Sequence, residues 1–456
     1  MSLLKFESML KTNSVFFFDL VEFEEIIIHY LDAGKHALAK KAVKLGLQQH
    51  PASVDLKLLQ VELHIFEGEL DKASMLLKII ERLEPNNDEV FIQKATISSK
   101  NGDHKEAIIL FKKALTITDD KVDVWSLLGM EYLYLDDFKN ARLTFAKCVN
   151  VDYEDYSALY NVVYCFDMEK EHQEAISYLN SYIDVNPYCE VAWHQLGRQY
   201  FILENYEKAL TSFDYAVLID ESFIGGYLEK AKTLEELKRY KEAIDNYLIT
   251  LELDDATAFV YIRVGECHEK LGNLEEAVSF YKKAVHEDPL LDKGWVLLTN
   301  LYYQDENYQK ASYYISKALK IDENTALYWR KYSEISLKLN FYEEAIIGYK
   351  HCLNLNDDAL EVYVGLVDVL SFLGNFDEAI SWILKAQEIY KDCAEITYRL
   401  AGLFYVLNDE TEGYNQLISA LNTDFEYHTI LKELFPIVYE NKKIQKLLID
   451  FKKAME

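Results

Sequence analysis

The sequence predicts an all-α chain built as a stack of about twelve near-identical helical hairpins, and three observations carry that prediction. The first is an alanine that returns every 34 residues: Ala39, Ala73, Ala107, Ala141, Ala175, Ala209, Ala243, Ala277, Ala311, Ala345 and Ala379. The second is that four of the five prolines, Pro51, Pro85, Pro187 and Pro289, share one phase of the same period. The third is that each 34-residue stretch holds two apolar patterns of helical period and none of alternating period. A single central core has no use for a small residue at one fixed spacing. Stacked hairpins do, because each meets its neighbour through the same close contact.

With the recurrent alanine at position 20, the units run 20–53, 54–87, 88–121 and onward to 394–427. Positions 4, 7, 8 and 11 fall on one face of the first helix, and positions 20, 24 and 27 on one face of the second. The unit from 190 supplies Trp193, Leu196, Gly197, Tyr200, Ala209, Phe213 and Ala216 in that order. The unit from 122 supplies Trp125, Leu128, Gly129, Tyr132, Ala141, Phe145 and Cys148, and the unit from 258 supplies Tyr261, Val264, Gly265, His268, Ala277, Tyr281 and Ala284. Small residues at 8, 20 and 27 admit close helix approach, and the aromatics fill the remaining space. Gly34, Gly68, Gly102, Gly272 and Gly374 stand at position 15, in the turn between the two helices. Asp254, Asp255, Asp357 and Asp358, near the end of their units, read as turn and cap residues. Tyrosines at positions 17 and 24 read as packing residues, and His64 and His268, at position 11, as packed histidines.

This pattern resembles the tetratricopeptide repeat family over residues 20–427. The resemblance implies two antiparallel helices per unit, stacked into a right-handed superhelix with a concave groove, and a bacterial source is expected. Residues 1–19 are expected to form an amino-terminal cap, with a helix near Phe16, Phe17, Phe18 and Phe23. Residues 428–456, chiefly Ile444 to Met455, are expected to form the carboxy-terminal cap. The first unit, with Ile27 at position 8, and the last, with Gly413 at position 20, depart from the pattern as terminal repeats do.

Composition narrows the function. The formal net charge of -29 argues against nucleic acid and against anionic membrane surfaces. The first residues lack the basic start, apolar run and cleavage site of a signal peptide, so a soluble, cytoplasmic protein is expected. The six cysteines fall in pairs separated by whole periods (Cys148 and Cys352, Cys189 and Cys393, Cys165 and Cys267), which makes them small buried hydrophobes rather than disulfide or metal partners. No glycine-rich phosphate loop, His-Glu-x-x-His pair or Cys-x-x-Cys is present. No catalytic residue, metal or cofactor is expected.

The family resemblance places positions 2, 6, 9 and 13 of each first helix on the groove. In the sixth to tenth units these positions carry Arg198, Lys232, Arg263, Lys270, Lys293, Lys331 and Lys338 against Glu229, Glu236, Glu266 and Glu334. In the second to fifth units they carry Asp55, Glu62, Glu89 and Asp123 with Lys100. Leu127, Met130, Tyr134, Tyr164 and Met168 form an apolar stripe there, and Asn161 and Asn300 offer amides to a peptide backbone. The candidate groove is therefore Met130, Tyr134, Asn161, Tyr164, Met168, Arg198, Lys232, Arg263, Lys293, Asn300 and Lys331. The expected partner is a protein or peptide, part acidic and part apolar. Some family members clamp the carboxylate tail of heat-shock chaperones with Lys and Asn at fixed positions. Here Val296 stands where Lys is needed and Lys331 where Asn is needed, so that activity is not expected. The function expected is a non-catalytic scaffold or adaptor, with a peptide-responsive regulator or an accessory subunit as the alternative.

Overall fold

The structure, a computed structural model, describes residues 2–12, 16–253 and 257–455. These residues form 28 α-helices and one short 3₁₀ helix, with no strand among them. Asp254 and Asp255 lie outside the described residues. From Leu20–Asp32 and His36–Gln49 to Ala394–Val406 and Glu410–Thr423, helices come in pairs of 11 to 14 residues joined by turns of two or three. The first helix of a pair begins at residues 20, 54, 88, 122, 156, 190, 224, 258, 292, 326, 360 and 394. Several of these starts are fixed by a side chain one residue earlier that accepts from the backbone three residues on: Ser53 from Leu56, Asn87 from Val90, Asp155 from Ala158 and Thr257 from Val260. The chain divides into two compact units, Met1–Thr233 and Leu234–Glu456.

All eleven phased alanines have no exposed surface. The position-8 glycines explain why small residues are needed. A Cβ on Gly129, Gly197 or Gly265 would lie 2.6, 2.5 or 2.4 Å from the ring of Phe145, Phe213 or Tyr281, the aromatic sixteen residues further on. Backbone and ring occupy one space, and only glycine leaves it free.

The same slot makes the same bond in different repeats. The Sγ of Cys148 donates to the carbonyl of Val122, and that of Cys352 to the carbonyl of Ala326, each 26 residues earlier. The indole Nε1 of Trp193, Trp295 and Trp329 donates to the carbonyl six residues before it, that of Pro187, Pro289 and Glu323. All six cysteines are free and five are buried. Burial pushes the thiols of Cys165, Cys267 and Cys352 up to about 12, which keeps them protonated and unreactive.

Two expectations are corrected. At the amino end the helix is Ser2–Thr12, and Phe16 to Asp19 is non-helical. Phe6, on that helix, meets the rings of Phe18 and Phe23 at 5.9 and 6.4 Å. Of the three phenylalanines only Phe18 is buried; the Gln49 amide holds the segment, accepting from the Phe18 N–H and donating to the Phe16 carbonyl, and the Asp19 and Glu22 capping box starts the next helix. At the carboxy end three helices, Thr429–Leu434, Pro436–Tyr439 and Lys442–Met455, follow the last pair. Phe435 there presses on Gly402. Asp357 and Asp358 lie, as expected, in the turn between Tyr342–Asn354 and Leu360–Phe372, but they hold side chains rather than capping the helix: Asp357 accepts both bonds from Arg330, at 2.7 and 2.6 Å, and Asp358 accepts from the hydroxyl of Tyr363 at 3.1 Å.

Candidate binding surface

The apolar stripe sits on the first helices of the fourth and fifth pairs, Val122–Tyr134 and Tyr156–Glu169, within the first compact unit. On each helix the opposite face is committed: Val124, Leu128 and Tyr132 on one, and Leu159, Val162, Val163 and Phe166 on the other, are buried in the core. Outward, beside Asp123, Ser126 and Ser157, stand large apolar side chains. Met130 is 36% exposed, Tyr134 59%, Tyr164 47% and Met168 48%. Leu127 is exposed as well. Asn161 lies half-buried between these residues in sequence, and its amide has no hydrogen-bond partner among the described residues. Tyr134 is steadied by the His104 ring stacked at 4.8 Å, and Tyr164 by the edge of Phe138 at 6.4 Å.

Sequence reading missed two members. Tyr160 is 41% exposed and precedes Asn161, and Ile202, on the first helix of the sixth pair, is 45% exposed. Ile202 occupies position 13, as Tyr134 and Met168 do, so that periodicity was the signal for it. Tyr160 stands at position 5, which the choice of positions 2, 6, 9 and 13 passed over.

The basic residues are placed differently from what charge counting suggests. Within the first unit, the guanidinium of Arg198 donates to Gln195 Oε1 at 3.2 Å and has no carboxylate partner among the described residues. Lys232 pairs with Glu229 at 2.7 Å. His194, one turn before Arg198, touches the rings of Phe213 and Phe223. Burial, then the nearby charges of Arg198 and Lys232, push its imidazole down to about 4, so it is neutral near pH 7.

Within the second unit the candidate cations Arg263, Lys293 and Lys331 are already engaged. Arg263 holds Glu235 through Nε and Nη2 at 3.1 and 2.7 Å and Glu266 through Nη1 at 2.8 Å. Glu266 also accepts Lys293 at 2.8 Å, and Tyr247 donates its hydroxyl to Glu235 at 2.5 Å. Lys331 pairs with Glu334 at 3.0 Å and lies 4.2 Å over the Tyr303 ring. Asn300 is half-buried and its amide is without a partner among the described residues. Three of the five groove cations of this stretch, Arg263, Lys293 and Lys331, are thus paired within their own chain, whereas Lys270 and Lys338 have no carboxylate within ion-pair distance among the described residues.

Among the described residues, His64, Glu67 and Glu69 are the group that brings three potential metal-ligand atoms within 4.8 Å of one another. Lys40 already pairs with Glu67, and Lys72 and His64 with Glu69. The cluster is complete as an ion-pair network.

Family models described as tetratricopeptide repeats match residues 88–121, 126–188, 228–291 and 360–393. The chain is a tetratricopeptide repeat protein. Two relatives from Schizosaccharomyces pombe align with it. One, a DnaJ homolog subfamily C member 7 homolog, is 24% identical over 40% of this chain and 34% of its own length. The other, anaphase-promoting complex subunit 3, is 23% identical over 33% of this chain and 23% of its own length. The aligned segments thus span about a third or less of the curated relatives. Solved structures of similar architecture include the TPR protein YrrB, described with an unusual peptide-binding site. It is 15% identical, covers 40% of this chain and 95% of its own, and has a TM-score of 0.35. The APC/C hetero-tetramer Cut9-Hcn1 is 14% identical over 92% of both chains, with a TM-score of 0.34. Nothing in these comparisons supports the expected bacterial source. Tetratricopeptide repeats are protein-interaction scaffolds, and no enzymatic family is indicated. Among the described residues no helix is long and apolar enough to cross a membrane.

Proposed function

We propose that this TPR protein is a non-catalytic cytoplasmic scaffold that holds a protein segment, part apolar and part acidic, on the first-helix surface of its fourth to seventh pairs. The observation that carries the reading is the set of exposed large apolar side chains Met130, Tyr134, Tyr164 and Met168 on two helices whose other face is fully committed to the core. Exposed apolar side chains grouped in this way mark interaction sites more often than accident. Asn161 would hold the backbone of the segment, and Arg198, the cation without a carboxylate, would meet an acidic side chain; Lys232 would join it by leaving Glu229. In the second unit Arg263, Lys293, Asn300 and Lys331 are a secondary candidate, because their cations must give up existing carboxylates before meeting new ones. Similarity to an anaphase-promoting complex subunit accords with the alternative reading, an accessory subunit within a larger assembly.

The test is to recover the partner with the full chain as bait and to measure its binding by surface plasmon resonance. Tyr164→Ala is expected to weaken it about tenfold through faster dissociation. Arg198→Glu is expected to slow association, with the effect shrinking as salt rises. Unchanged affinity in both folded variants would remove this surface from consideration.

A further inference from the structure

The opening three pairs present a different surface. Glu24 and Asp32 lie on Leu20–Asp32, Asp55 and Glu62 on Val54–Phe66, and Glu89 on Asp88–Lys100. Among the described residues none of these five carboxylates has a cation within ion-pair distance. The charges acting on them are acidic: Asp55 on Glu24, Glu89 and Asp32 on Glu62, and Asp88 on Glu89. Burial first, and like charge after it, lifts the carboxyls of Glu24 and Glu62 above the usual range; burial, only partly opposed by the Gln93 amide, lifts that of Glu89. Glu62 remains open to solvent while it is crowded by surrounding protein.

A second, independent feature lies beside them. Gln93 is 6% exposed. Its Nε2 donates to the Leu58 carbonyl at 3.2 Å and to Glu89 Oε1 at 2.9 Å. Those two acceptors fix the orientation of the amide and leave Oε1 buried with no hydrogen-bond partner. A buried acceptor without a donor costs free energy that a ligand N–H would recover. One oxygen of Glu24 is buried and unpartnered in the same way.

The chain itself shows what completes this arrangement. Glu62 is at position 9 of its pair and Gln93 at position 6 of the next. At the other end of the sequence the same two positions hold Asp368 and Arg399. There the guanidinium binds the carboxylate through Nε at 2.7 Å and Nη2 at 2.9 Å, and Arg399 is 6% exposed. In the second and third pairs the carboxylate is present and the guanidinium is missing.

We propose that the face formed by Glu24, Asp55, Glu62 and Glu89, with the Gln93 carbonyl, binds an arginine-bearing basic segment of a partner protein. A planar fork of N–H donors satisfies a carboxylate and an amide oxygen together, which the point charge of an ammonium does less well. A divalent metal is the poorer fit, because no three of these oxygens converge within 4.8 Å of one another. The site lies apart from the apolar surface and rests on the scaffold reading only in that its occupant is a protein.

The probe is a fluorescein-labelled glycine-rich heptapeptide carrying two arginines, with its citrulline counterpart as control, followed by anisotropy on the full chain. The arginine peptide is expected to bind and the citrulline peptide to lose at least tenfold. The double variant Glu62→Gln, Glu89→Gln is expected to weaken the arginine peptide at least tenfold. The pair Glu204→Gln, Glu221→Gln, the same charge change at exposed residues elsewhere, is expected to change it less than twofold. Gln93→Arg is expected to supply the missing guanidinium to Glu62, raise the melting temperature and block the peptide. Tyr164→Ala is expected to leave this peptide unaffected, which separates failure here from failure of the apolar surface. Equal weakening by both glutamine pairs would overturn the proposal in favour of general attraction to an acidic protein. Saturable binding of Ca²⁺ alone that the Glu62 and Glu89 variants abolish would overturn it in favour of a metal.

Discussion

Arg263 forks onto Glu235, with Nη2 2.7 Å from Oε2 and Nε 3.1 Å from Oε1, so the arginine that charge patterning marks as a groove cation serves to tie two successive first helices together. Its third nitrogen holds Glu266. The side chain of Glu235 is 13% exposed and that of Arg263 27%, which places the pair between a free surface bridge and a fully buried one. Arg263→Ala is therefore expected to cost about 1–3 kcal/mol, mostly by leaving Glu235 without its counter-charge. Arg263→Glu, which sets three carboxylates together, is expected to cost more. Urea unfolding followed by circular dichroism checks both, and a loss below about 0.5 kcal/mol for the alanine variant would show that the network is not structural.

His194 sets a pH dependence. Its imidazole titrates near 4 in the folded protein against 6.5 when free, so the unfolded chain takes up the proton first. Above pH 6.5 the residue costs nothing; between 6.5 and 4 stability falls, by up to about 3 kcal/mol, and below 4 no further loss comes from it. His194→Gln is expected to flatten the melting temperature across that window relative to the parent. Parallel profiles for the two proteins would refute the assignment.

Gly197→Ala tests the close contact. Helix propensity alone favours alanine by about 1 kcal/mol. The new Cβ, however, would stand 2.5 Å from the Phe213 ring, which is itself fully buried and has nowhere to move. Overpacking costs about 1–3 kcal/mol, so a net loss is expected. The double variant with Phe213→Leu is expected to recover part of it.

Glu204→Gly is expected to stabilise. Glu204 has a φ of 57°, in the left-handed region. Non-glycine residues pay about 1–2 kcal/mol there, offset in part by the greater freedom of glycine in the unfolded chain. A gain of a few tenths to about 1 kcal/mol is expected for Glu204→Gly and for Lys170→Gly, read from thermal melts. A loss in both would mean the side chains contribute contacts that outweigh the strain.

Much was legible in the sequence because a repeat announces its contacts many times over. The alanine at position 20 in eleven units, and the glycine at position 8 in the units of Gly129, Gly197 and Gly265, mark places where backbone meets a neighbour too closely for a larger side chain. The surface was only partly legible. Met130, Tyr134, Tyr164 and Met168 could be picked out, since an apolar residue off the core face has no packing reason to be there. The fate of Arg263, Lys293 and Lys331 could not, because whether a cation is free depends on which carboxylate of an adjacent helix reaches it.

Position 15 divides the two kinds of information most cleanly. Five units place glycine there, and sequence alone identifies those as left-handed turns. Asp136, Lys170, Glu204, Lys238, Glu306, Asn340 and Asn408 occupy the same position in the other seven, and they adopt the same left-handed backbone with φ between 55° and 62°. Local preference disfavours it in most of them. The packing of two helices joined by so short a turn leaves the chain no other route, and burial of both helices outweighs the local cost. The sequence thus determined the repeat, its period and its close contacts, where residue type and steric need coincide. The tertiary structure alone decided the backbone of the seven non-glycine turns, the pairing of the groove cations and the orphaned oxygen of Gln93, because each depends on atoms that the sequence keeps many residues apart.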